Sequence, residues 1–228
     1  GTIMVLALVI VPIVAISEIG GVGETFSLIN DKGDKYLDLF KGTTTISIMS
    51  LMAWGLGYCG QPHILVRFMA IGNPKDLAKA RNIGITWMIF TVGGALLVGL
   101  VGIAYMMKFD QTTMNIFDNS KTESETIFIY FSRVLFHPLI GGFLLSAILA
   151  AVMSTISSQL LVTSSSLTED IYKAFIKKDA TPKQLLTASR LSVLIVAVIA
   201  VLLSLTPKDS ILNLVGNAWA GFGSAFGP

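Results

Sequence analysis

Residues 53–69 read AWGLGYCGQPHILVRFM. The flanks are apolar enough to lie in a bilayer. The middle sets Gly55, Gly57, Gly60, Gln61 and Pro62 within eight residues. An unpaired backbone N–H or C=O costs several kcal/mol in hydrocarbon, so broken backbone at that depth survives only buried in protein or lining a wet cavity. Glycine lowers the cost of leaving helical geometry. Pro62 removes a donor and pushes Gln61 out of the helical region. The pattern predicts a membrane segment over 45–65 that breaks near 55–62 and frees backbone groups midway. Freed groups and half-helix ends can hold an ion or a zwitterion. A packing kink fits the same residues, because glycine and proline are both common in membrane helices.

The rest of the chain supports a membrane setting. Of 228 residues, 53% are hydrophobic and 13% charged, against about 25% charged in ordinary soluble domains. A run of about 20 apolar residues can span a bilayer as a helix. Six such segments stand out: about 2–22, 45–65, 82–107, 138–168, 185–205 and 210–228. The fold class is therefore an all-α membrane protein in one transmembrane domain, 1–228. The net charge of +2 argues against nucleic acid as a partner. The single cysteine, Cys59, makes an intramolecular disulfide impossible; it reads as a buried small residue. The chain begins and stops inside apolar runs, so it reads as a piece of a longer protein.

Orientation follows from the basic residues. The loop after the second segment carries Arg67, Lys75, Lys79 and Arg81, and that after the fourth Lys173, Lys177, Lys178 and Lys183. The loops after the first and third balance lysine and arginine with acids, among them Asp34, Glu24, Asp110 and Glu125 beside Lys35 and Lys108. The loop after the fifth holds Lys208 and Asp209. Loops two and four are thus cytoplasmic, and the others external. Residues 123–137 read as a short amphipathic helix on an outer loop. The stretch from Asn73-Pro74 reads as a capped helix along the inner face.

Two further patterns carry chemistry. Trp54 and Tyr58 stand at i and i+4 beside the break, where they can stack on a small ligand; an interfacial anchor is the other reading of Trp54. Gln61 can bond either freed backbone or a ligand. His63 and His137 have no second metal ligand at useful spacing. In the fourth segment, LLSAILAAVMSTISSQLLVTSSSLTED (144–170), Ala147, Ala151, Ser154, Thr155 and Ser158 share a helical face. Small residues allow close helix packing. Hydroxyls beside a partly free carbonyl also suit sodium, a hard cation that takes oxygen ligands. No Asp or Glu lies in the core of a segment, which disfavours a carboxylate proton relay. In the last segment Gly216, Ala220, Gly223, Ser224 and Gly227 form another small-residue face, open to both packing and motion.

WGLGYCGQPHILVRFMA (54–70), SAILAAVMSTISSQLLVTSSSLTEDIYKAF (146–175) and AWAGFGSAFGP (218–228) resemble the sodium:solute symporter family. The likeness runs along nearly the whole chain and is weakest at 23–44 and 108–132. It points to members that carry L-proline in the bacterial cell membrane. The resemblance implies part of a five-plus-five inverted-repeat transporter core. The first segment would be the last helix of repeat one, and the rest most of repeat two. It also implies that Trp54, Tyr58 and Pro62 bind substrate. Ala151, through its carbonyl, and Ser154 and Thr155, through their hydroxyls, would bind the sodium ion. The other half of that site would belong to missing N-terminal helices of the same chain. The expected partners are then L-proline and the lipid bilayer, the expected activity is sodium symport by alternating access, and no enzymatic function is expected. Pantothenate, a monocarboxylate or a sugar remains an alternative solute within the family. A membrane sensor core and a passive channel are alternatives outside it.

Overall fold

A computed structural model describes residues 1–33, 36–38, 40–205 and 210–226. Asp34, Lys35, Lys208, Asp209 and Gly227, which the sequence reading places on outer loops or on the last small-residue face, lie outside the described residues. The described residues are helical throughout, with turns and no strand.

The helices are α1 (Thr2–Ile19), α2 (Val22–Lys32), α3 (Thr45–Met52), α4 (Trp54–Gly57), α5 (Pro62–Met69), α6 (Leu77–Phe109), α7 (Gln111–Asn119), α8 (Lys121–Ser124), α9 (Ile127–Val134), α10 (Pro138–Ser165), α11 (Pro182–Ser204) and α12 (Ile211–Phe226). Short 3₁₀ turns cover Tyr58–Gly60 and Pro74–Asp76, and π-helical turns run from Ser166 to Ile176. Among the described residues, four helical stretches are long and apolar enough to cross a membrane: Thr2–Ile19, Pro74–Phe109, Pro138–Ile176 and Pro182–Ser204.

Several boundaries differ from the apolar runs, each for a local reason. The stretch from Asn73 is the capped helix start its sequence suggests, but it runs straight on into the third apolar segment. The Asn73 carboxamide accepts the Lys75 N–H at 3.1 Å, starts a 3₁₀ turn, and α6 follows directly for 33 residues. The fourth segment does not end at 168, since no glycine or proline stands between Gly142 and Pro182. It loosens into π-helix instead, closed by Lys177 N–H on the Tyr172 carbonyl. At 1.5 Å per residue its 39 residues measure about 58 Å, far more than a hydrocarbon core of about 30 Å. The fifth segment starts at Pro182, because Thr181 and Gln184 form a reciprocal capping box around it. The residues after 22, read as loop, form α2, which has no side-chain bond at its N-cap.

The core lies between α1 and α6. On α1 the residues Ala7, Val11, Ala15 and Ile19 recur every fourth position and are at most 2% exposed. They meet Val98, Val101, Ala104 and Tyr105 of α6, with Phe131 of α9 and Leu144 of α10 closing the cluster. Gly94 lets the two backbones approach, since a Cβ there would press on the Leu8 carbonyl. The amphipathic α9 buries Phe131 and Ser132 against this cluster and is flanked by α1, α6 and α10.

Three loops assigned to the outside by charge come together in space. Lys108, at the end of α6, donates to the Ile19 carbonyl at 2.5 Å and to Glu24 at 2.6 Å, so it caps α1 and holds α2. Lys32 of α2 pairs with Asp118 of α7 at 2.5 Å. Glu125, after α8, accepts the Ile211 N–H at 2.9 Å and caps α12. These contacts join the segments after α1, after α6 and before α12 at one end of the bundle.

Candidate functional site

The second apolar segment is broken into three pieces. After α4, the residues Tyr58–Gly60 tighten to 3₁₀ geometry, and Gln61 is extended at φ −94, ψ 104. Pro62 then opens α5 at its first position. The mechanism is direct. The Pro62 ring has no N–H to give the Tyr58 carbonyl, so that carbonyl takes the Gln61 N–H at 3.2 Å in the tighter pattern.

Two carbonyls that a continuous helix would have satisfied are taken by side chains. Gln61 is buried, and its Nε2 donates to the Gly57 carbonyl at 3.3 Å. Of the two roles open to it in the sequence, the structure shows the bond to freed backbone. The Trp54 carbonyl accepts the indole N–H of Trp219, on α12, at 3.0 Å. The Tyr58 N–H, its ordinary helical partner, has turned to Gly55 and Leu56.

The break faces α12 across glycine. A Cβ on Gly57 would collide with the Trp219 indole, and one on Gly60 with the Phe222 carbonyl. The two glycines stand three apart and share the buried side of the 3₁₀ turn. Cys59, with about a third of a turn of rotation from its neighbour, points to the open side. It is exposed, contrary to the sequence expectation of a buried small residue.

Trp54 and Tyr58 do share a face, and Trp219 occupies it with them. Trp219 lies nearly parallel to Trp54, with ring centroids 5.7 Å apart and planes 17° apart. It meets Tyr58 edge-on, at 4.7 Å and 84°. Offset-stacked and edge-to-face contacts are the arrangements that aromatic quadrupoles favour. A cavity of about 460 Å³, lined by Trp54, Gly57, Gly216, Trp219, Ala220 and Gly223 among others, opens beside the stack. That volume lies in the range of about 300–1,000 Å³ usual for small-molecule sites. Trp219 stands inside AWAGFGSAFGP (218–228), where the local sequence alone assigns it no role. The signal was its register: it sits three residues after Gly216 and four before Gly223, on the small-residue face.

The hydroxyl stripe of α10 divides in two. Ala147 is buried against the core, so close packing accounts for that end. Ala151 is half-buried, and Ser154 and Thr155 are exposed. The Thr155 hydroxyl donates to the Ala151 carbonyl at 3.2 Å, and the Ser158 hydroxyl to the Thr155 carbonyl at 2.8 Å. A serine or threonine hydroxyl whose proton is held by the backbone keeps its oxygen lone pairs for another partner. The break and the stripe ride on adjoining elements, since α5 touches α10.

Just beyond α6, Asp110 caps α7. It accepts the Thr113 N–H at 3.0 Å, the Thr113 hydroxyl at 2.6 Å and the Tyr130 hydroxyl at 3.0 Å. The two Thr113 bonds hold its carboxyl below the usual range. Burial, and then the bond to Asp110, push the Tyr130 phenol up to about 12.

Comparison with known proteins adds a second line. The sequence profile of the sodium:solute symporter family matches residues 1–228. The chain is 60% identical over 228 residues to the osmoregulated proline transporter OpuE of Bacillus subtilis, covering all of this chain and 45% of that protein. It is 56% identical over 232 residues to sodium/proline symporter 2 of Staphylococcus saprophyticus, again covering all of this chain and 43% of that protein. To the high-affinity proline transporter PutP of B. subtilis it is 52% identical over 228 residues, covering all of this chain and 46% of that protein. The chain thus spans about half the length of the curated relatives it matches. No solved structure matches.

Proposed function

The chain belongs to the sodium:solute symporter family, and on that premise we propose that it forms part of a bacterial plasma-membrane carrier coupling sodium entry to L-proline uptake. The observation that carries the reading is the interruption at 58–61, set beside the Trp54–Tyr58–Trp219 aromatic cluster and a glycine-lined helix. The names of its relatives support proline as the solute and sodium as the coupling ion.

In this reading α1 closes the first inverted repeat, and the helices from α3 onward make most of the second. Trp54, Tyr58 and Pro62 line the substrate site. The apolar ring of proline lies on the aromatic faces, and its charged groups meet half-helix ends and freed backbone. The Ala151 carbonyl and the Ser154 and Thr155 hydroxyls supply sodium ligands, and N-terminal helices of the full-length protein supply the rest. Neutral oxygens bind a monovalent cation firmly enough to order the carrier and weakly enough to release it. Sodium binding orders the outward-open form, proline follows, and the loaded carrier releases both inside. The membrane potential contributes about 2.3 kcal/mol per charge per 100 mV, so one sodium ion drives accumulation without a phosphate-binding loop or enzymatic step.

The test is uptake of labelled proline by vesicles carrying the full-length protein. Accumulation above the external concentration, abolished when sodium is replaced by choline, is the expected result. Uptake indifferent to sodium removes the coupling. Sodium-driven uptake of pantothenate, a monocarboxylate or a sugar in place of proline moves the substrate. Equilibration without accumulation turns the carrier into a passive channel.

A further inference from the structure

We propose that Trp219 is a positioning residue for the substrate site, holding Trp54 and Tyr58 in the orientation in which they receive a small zwitterion. The inference rests on the reading of the broken segment as that site, and goes beyond it by assigning its alignment to a different helix.

Three contacts converge on this one side chain. Its ring stacks on Trp54 and meets Tyr58 edge-on, and its N–H donates to the Trp54 carbonyl. The same indole therefore fixes both aromatic side chains and the backbone that carries the first of them. The hydrogen bond matters most for its location. A helix that breaks leaves acceptors behind, and an acceptor half shielded from solvent is costly to leave without a donor. Trp219 supplies the donor from 165 residues away, so the seating of α12 adds to the stability of the unwound geometry. The glycines enforce that seating: no side chain at 57 or 60 stands between the break and α12, and Gly223 approaches the Gly57 Cα. Removing the indole lets both rings relax to other rotamers and leaves the Trp54 carbonyl unpaired. A pre-organised pocket becomes one that substrate must order, which is paid as affinity rather than as turnover.

The experiment uses the full-length protein in proteoliposomes at saturating sodium, with Tyr58→Ala as the reference variant. Trp219→Ala is expected to raise the KM for proline about tenfold while the maximal rate stays within about twofold. Trp219→Phe keeps a ring in the stack but lacks the N–H, and is expected to raise KM about threefold. Half-saturation by sodium, measured at saturating proline, is expected to stay unchanged in both. If Trp219→Ala does not yield folded protein, as judged by gel filtration in detergent, Trp219→Phe decides. A KM within twofold of the parent in the folded Trp219 variants, with Tyr58→Ala weakened, overturns this inference and leaves the substrate site intact. If Tyr58→Ala also keeps the parental KM, the substrate-site reading falls, and this inference with it. A fall in maximal rate at constant KM also overturns it, since that is the mark of a merely structural tryptophan.

Discussion

The α1–α6 interface and the α4–α12 interface are both helix contacts made close by glycine, yet they are built in opposite ways. Between α1 and α6, apolar teeth at every fourth residue interlock, and Val11, Ala15 and Ala104 have no measurable exposure. Phe131 packs against both helices, and Lys108 ties off the C-terminal end of α1. Between α4 and α12 a single indole and a few glycines make the contact, while Tyr58 stays 36% exposed. Close-packed interiors resist change in shape, whereas regions with few buried contacts open at low free-energy cost. The first interface has the packing of a scaffold; the second is the one that the proposed reading makes the place where a ligand enters.

The comparison predicts that variants of the two regions fail differently. The largest effect belongs to the scaffold: Phe131→Ala is expected to cost about 3–5 kcal/mol of stability, read as a lower unfolding temperature in detergent. The surviving folded protein should keep its half-saturation for sodium and proline; a change in either would make α9 part of the site. Next, Ser154→Ala with Thr155→Ala is expected to raise half-saturation by sodium about tenfold, about 1.4 kcal/mol, at normal expression. Unchanged sodium dependence would remove both hydroxyls from the ion site. Tyr58→Ala should weaken proline affinity about fivefold with little change in unfolding temperature, roughly 1 kcal/mol of binding. Loss of stability without loss of affinity would place that ring in the scaffold.

The smallest effect tests the α7 cap by pH. The Asp110 carboxyl is held below its ordinary value of 3.8 in the folded chain. Its contribution is therefore fully present above that value and is lost as pH falls through the lowered one. Tyr130, raised to about 12, contributes below its ordinary value of 10.0 and loses that contribution as pH rises from there toward 12. Asp110→Ala is expected to cost about 1 kcal/mol through the lost α7 cap, and to flatten the acid side of a stability–pH profile. A profile identical to the parent's would show that the cap bears no load.

Much of this architecture was legible in the residues. The break at 55–62 follows from glycine spacing and one proline, because the missing N–H acts within a single turn. The π-helical run past 168 was not legible, since it depends on the absence of a stop signal rather than the presence of one. The burial of Gly57 and Gly60 and the exposure of Cys59 turn on which side of a 3₁₀ turn meets a neighbour, and local sequence does not name the neighbour. Loop charges assigned three segments to the outside, and the contacts of Lys108, Lys32 and Glu125 bring those segments to one end.

By itself the sequence determined that the chain lies in a membrane as helices, where one of them must break, and which hydroxyls line a neighbouring face. These are consequences of hydropathy, backbone chemistry and helical period, all of which act over a few residues. Only the tertiary structure decided that Trp219 closes over the break, that Gln61 turns inward to the Gly57 carbonyl, and that the α10 stripe is packed at Ala147 but open at Ser154. The side chain that meets a freed carbonyl depends on how two distant helices seat against each other. That is a property of packed surfaces, written in no single stretch of the chain.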